Sequence, residues 1–100
     1  MAEFHNKSTE RLFKAIMSLK DAEECKALFE DLCTIKEIQD MAQRLDTAVL
    51  LNNGMSYQKI AQETGMSTAT ISRVNKCLLY GSNGYKTVIK RMAENDNDNK

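Results

Sequence analysis

Apolar residues recur at helical spacing along most of the chain, and no stretch alternates convincingly as a strand would. Leu12, Phe13, Ile16 and Met17 predict a first helix over about 8–19. Cys25, Leu28, Phe29 and Leu32 predict a second. Asp21 can cap it, and Glu23 and Glu24 suit the positive end of its dipole. Thr34-Ile35-Lys36-Glu37 reads as a capping box, in which hydroxyl and carboxylate each take one free amide. It opens a third helix that runs to about Asn52, with a stripe of Ile35, Ile38, Met41, Ala42, Leu45, Ala48, Val49 and Asn52. Leu50 and Leu51 widen that stripe. A helix apolar over more than one face is covered from more than one side. In so short a chain this points to a second chain as the cover.

The tripeptide Gly-Met-Ser occurs at 54–56 and again at 65–67. Each copy reads as a stop and a start: glycine closes one helix, methionine packs inward, serine caps the next. A fourth helix therefore lies between Ser56 and Gly65, and a fifth runs from Ser67 to about Tyr80. Gly81-Ser82-Asn83-Gly84 is a loop, and Tyr85 to about Ala93 a short basic helix. Residues 94–100 have nothing to bury and read as a disordered tail. The expectation is an all-α fold of about six helices, in one domain over 1–93.

Residues 57–76 carry the pattern of a helix-turn-helix. Ala61 is small where the second helix crosses the first, and Gly65 supplies a turn residue that tolerates positive φ. Ile60, Met66, Ile71 and Val74 fall where apolar contacts are needed. Thr64 departs from the pattern, which usually has an aliphatic residue there. The other face of the fifth helix is small and polar. Short side chains let a helix sink into the major groove. Thr68 and Ala69 suit thymine methyls, Ser72 either type of base edge, and Arg73 guanine. Ser56, Gln58, Lys59, Ser67, Lys76, Lys86, Lys90 and Arg91 are better placed for phosphates.

Composition changes this picture only through its distribution. The net charge is zero, yet residues 56–91 carry a net +5 while 1–55 carry −3 and 92–100 carry −2. Net positive charge is thus confined to the segment with the motif, which is the electrostatic footprint of a nucleic-acid partner. Proline is absent, so nothing forces a kink within a helix. No apolar run approaches the roughly 20 residues that span a bilayer. The N-terminus does not read as a secretory signal, so Asn6-Lys7-Ser8 is a glycosylation sequon by chance. Cys25, Cys33 and Cys77 are odd in number and match no common zinc spacing; they read as buried reduced thiols of a cytoplasmic protein. An enzyme is not indicated. The one histidine is His5, and there is no nucleophile elbow, phosphate-binding glycine loop or metal-ligand cluster.

The segment GMSYQKIAQETGMSTATISRVNKCL, with TIKEIQDMAQRLDTAVLL before it, resembles the Trp repressor superfamily. The closing LLYGSNGYKTVI looks like its bacterial YerC/YecD-type branch. The resemblance spans about 30–90 and is most specific at 67–73. It implies an intertwined homodimer that binds double-stranded DNA and reads a palindromic operator as a repressor. It also implies a corepressor site in which Arg44 and Arg73 sandwich an indole, with Thr34 helping to line the pocket. Here Val74 stands where the family has glycine, and Cys77 where it has serine. These departures argue for a retained DNA-binding apparatus and against tryptophan control. The residues themselves call for no cofactor; tryptophan or another small effector enters through the resemblance alone. The rival reading, kept open by the zero net charge, is a helical dimeric adaptor that binds protein partners and has little affinity for DNA.

Overall fold

A computed structural model describes residues 6–98. Among these residues there are six helices and no strand. They are α1 (Lys7–Met17), α2 (Ala22–Leu32), α3 (Ile35–Asn52), α4 (Tyr57–Thr64), α5 (Thr68–Tyr80) and α6 (Gly84–Asp98). The fold is all-α, as the periodicity predicts.

The helix starts follow from local hydrogen bonding. Asn6, in the chance sequon, is the cap of α1: its Oδ1 accepts from the Thr9 amide at 2.9 Å, and Thr9 Oγ1 accepts from the Asn6 amide at 3.1 Å. Asp21 caps α2 by accepting from the Glu24 amide at 2.9 Å, and Glu24 in turn accepts from the Lys20 amide at 2.9 Å. The capping box of α3 is present, with the Thr34 amide donating to Glu37 Oε1 at 2.8 Å and the Glu37 amide to Thr34 Oγ1 at 3.1 Å.

The ends differ from the sequence expectation in two places. Helix α1 stops at Met17 rather than near residue 19, because the Ser18 hydroxyl donates back to the Ala15 carbonyl at 2.7 Å and closes the last turn. Helix α6 continues to Asp98, so residues 94–98 of the expected disordered tail are helical. No glycine or proline interrupts that stretch. Once a helix is nucleated, each further residue adds a hydrogen bond at little cost. His5 and residues 99–100 lie outside the described residues.

The contacts group into two compact units, 1–38 and 39–100. In the first, neither α1 nor α2 has a buried residue. Met17 is 83% exposed and Ile35 76%. Ala22, Cys25, Phe29 and Ile38 line an open groove of about 430 Å³ together with Lys26 and Glu30. The second unit holds the core, made of Thr47, Ala48, Ile60, Ile71, Val74 and Leu78. Full burial of an isoleucine contributes about 1.5–3 kcal/mol, so Ile60 and Ile71 dominate what clamps α4 to α5. Buried Thr47 is satisfied: its hydroxyl donates to the Gln43 carbonyl at 2.8 Å and lies 2.9 Å from Met66 Sδ.

The cysteines correct the sequence reading. Cys25 and Cys77 are exposed and Cys33 is half-buried. Their apolar stripes are genuine, but a single chain leaves the outer parts of those stripes uncovered.

Candidate nucleic-acid interface

Helices α4 and α5 pack directly on one another, joined by the turn Gly65-Met66-Ser67. Gly65 has φ 75°, a left-handed conformation that a Cβ disfavours, and its amide donates to the Ala61 carbonyl at 2.9 Å. Thr64, the departure from the motif, is used by the turn. Its hydroxyl donates to the Ile60 carbonyl at 2.7 Å and accepts from the Met66 amide at 3.1 Å. An aliphatic residue there would leave that amide without this partner. Gln43 of α3 completes the support, its Nε2 donating to the Thr64 carbonyl at 3.1 Å.

The two serines act as the repeated tripeptide predicts. Ser56 Oγ accepts from the Lys59 amide at 3.2 Å, and Ser67 Oγ from the Thr70 amide at 3.2 Å. Both precede their helices in extended backbone, the usual conformation of a capping residue.

Burial along α5 separates two faces. Ile71, Val74 and Leu78 face the core. Thr68, Ala69, Ser72, Arg73 and Lys76 are exposed and follow one another around the opposite side. The four residues expected to read bases are thus gathered on one surface. Gln58 and Lys59 are exposed on α4, while Lys86, Lys90 and Arg91 are exposed on α6. Lys86 and Lys90 are one helical turn apart and share a face. Tyr57, unmarked by any sequence pattern, joins this surface. The Asn75 side-chain amide donates to its hydroxyl at 2.9 Å, bridging α5 and α4. Nothing in the spacing announces a contact between positions 57 and 75.

Arg44 and Arg73, paired by the resemblance, lie on the same open cleft. It has a volume of about 330 Å³ and is also lined by Asp40, Gln43, Met66 and Thr70. A neighbouring cleft of about 390 Å³ shares Arg44, Thr70 and Arg73 and is also lined by Val74, Cys77 and Tyr85. Val74 and Cys77, the departures from the pattern that the resemblance implies, therefore form part of its wall. Thr34 is engaged in capping α3. Among the described residues no cluster of His, Cys, Asp and Glu is suited to a metal ion, and no helix is long and apolar enough to cross a membrane.

These features define a helix-turn-helix protein with a solvent-facing second helix. The model of the Trp repressor protein family matches residues 7–93, and the chain belongs to that family. It is a family of regulatory DNA-binding proteins rather than enzymes. The chain is 50% identical over 96 residues to the uncharacterized protein YerC of Bacillus subtilis (strain 168), covering 96% of this chain and 92% of the relative. Its fold matches the crystal structure of a TrpR-like protein from Eubacterium eligens with a TM-score of 0.88 at 46% identity, over 93% of this chain and 96% of that one. A second solved structure, from Staphylococcus aureus, matches with a TM-score of 0.85 at 42% identity, over 92% of each chain.

Proposed function

We propose that this chain is a cytoplasmic, sequence-specific transcriptional regulator that acts as a repressor and reads a palindromic operator as a homodimer. The observation that carries the reading is the exposed face of α5. Thr68, Ala69, Ser72 and Arg73 stand together on a helix whose other side is fixed by Ile71 and Val74. Arg73 reads guanine, Ser72 a base edge, and the Thr68 and Ala69 methyl groups approach thymine. Ser56, Gln58, Lys59, Ser67, Lys76, Lys86 and Lys90 hold phosphates and set the register. The dimer is supported by apolar side chains that one chain leaves exposed, including Met17, Leu32, Ile35 and Tyr80. A two-fold dimer places the two reading helices about 34 Å apart, one turn of DNA.

The test is selection of bound duplexes from a random DNA pool, followed by binding across a salt series. A regulator recovers half-sites with two-fold symmetry and loses affinity steeply as salt rises, because neutralised phosphates release counterions. An adaptor for protein partners recovers no preferred sequence and shows no such slope.

A further inference from the structure

The hydrogen bond between Asn75 and Tyr57 has a direction. Asn75 Nδ2 donates and the Tyr57 hydroxyl oxygen accepts, at 2.9 Å. A phenol is both donor and acceptor, so accepting from Asn75 leaves its own hydrogen for a second partner. Donation by the amide also polarises the O–H bond and makes it a better donor.

The setting of this hydrogen suits one kind of acceptor. Tyr57 is the first residue of α4 and is 37% exposed. Asn75 lies one turn from Ser72, at the edge of the exposed face of α5 on the side that packs against α4. A group at the rim of a helix seated in the major groove meets the sugar-phosphate backbone, not the base edges. Lys59 and Lys76 follow Tyr57 and Asn75 closely in sequence and are exposed, which favours an anionic acceptor. A neutral hydroxyl bonded to an ionised oxygen makes a charge-assisted hydrogen bond.

We propose that Tyr57, oriented by Asn75, is a DNA-binding residue whose hydroxyl donates to a backbone phosphate beside the groove occupied by α5. Asn75 is the positioning residue: it fixes the phenol across the interhelical gap and aims the free hydrogen outward. This assignment rests on the DNA-binding reading and adds a contact to it. Because the phenol is uncharged, the contact releases no counterion. It contributes affinity without contributing to the salt slope, which separates it from every lysine on this surface.

The test uses Tyr57→Phe and Asn75→Ala in the full chain, with a duplex carrying the selected operator. Tyr57→Phe should weaken binding about tenfold per subunit, the size expected for a hydrogen bond to a charged group, on operator and mixed-sequence DNA alike. The salt slope should stay at the wild-type value. The decisive readout is a set of operators in which one phosphate at a time is replaced by an uncharged methylphosphonate. At one position in each half-site the difference between wild type and Tyr57→Phe should vanish. Asn75→Ala should cause a smaller loss, and that loss should disappear when Tyr57→Phe is already present. Wild type that binds the operator, with Tyr57→Phe binding equally well, overturns the assignment alone. So does a Tyr57→Phe penalty that persists at every methylphosphonate, which would make the pair only a brace between helices. Wild type that binds no duplex overturns the DNA-binding reading, and this assignment with it.

Discussion

Gln43 of α3 donates its side-chain amide to the main-chain carbonyl of Thr64, the last residue of α4, at 3.1 Å. That carbonyl is among those a helix leaves without an intrahelical partner at its C-terminal end. The bond therefore satisfies a free acceptor and ties α3 to the turn that sets the direction of α5. Gln43→Ala should cost about 0.5–1 kcal/mol in chemical denaturation, as for an exposed hydrogen bond. It should also weaken operator binding, because the turn is less firmly held. Unchanged DNA affinity would show that the buried contacts of Ile60 and Ile71 position α5 without help.

Thr64 separates the pattern from the structure. A motif-based repair, Thr64→Val, puts an aliphatic residue where one is usual. The hydroxyl it removes donates to the Ile60 carbonyl and accepts from the Met66 amide. The expected result is destabilisation by about 1–2 kcal/mol, read from the denaturation midpoint, since an amide loses its partner. A stabilised variant would mean that the apolar gain outweighs that loss.

Two glycines should respond differently to alanine. Gly65 has φ 75° with open space around the missing Cβ, so Gly65→Ala should cost about 1–2 kcal/mol from backbone conformation alone. Gly81 has an ordinary negative φ, but a Cβ there would run into the Cys77 carbonyl. Gly81→Ala must shift backbone and should cost more in thermal or chemical unfolding. Equal costs would indicate that the end of α5 yields easily.

Arg73 and Lys86 are exposed on different helices and are assigned different work. Arg73→Ala should lose about 1–3 kcal/mol of discrimination between the operator and a variant lacking the guanine. Lys86→Ala should weaken all duplexes alike and flatten the salt slope by about one charge. Operator preference unchanged in Arg73→Ala would remove its base-reading role.

The cleft between α3 and α5 predicts a negative result. Arg44 and Arg73 both line it, yet Val74 and Cys77 stand in the adjoining wall, where the resemblance implies glycine and serine. Isothermal calorimetry with tryptophan should give no saturable heat at micromolar concentrations. A micromolar isotherm would show that the valine side chain makes room for the indole.

Local structure was legible because its causes are local. A cap needs a side chain three residues from an amide, so Asp21, Thr34, Ser56 and Ser67 announce their helices. Asn6 reads in sequence as a sequon yet caps α1, and α6 runs on to Asp98, since a polar composition does not by itself stop a helix.

The sequence alone determined the all-α class, the order of the helices, the place of the glycine turn and the polar face of α5. These depend on periodicity and on interactions within a few residues. Tertiary structure decided the rest: that Thr64 serves the turn, that Gln43 of α3 holds its carbonyl, that Arg44 and Arg73 share a cleft, and that Asn75 donates a hydrogen bond to Tyr57. Tyr57 and Asn75 are 18 residues apart and belong to different helices. Their meeting is set by how α4 and α5 cross, and that crossing follows from the burial of Ile60, Ile71 and Val74, not from any signal carried by positions 57 and 75 themselves.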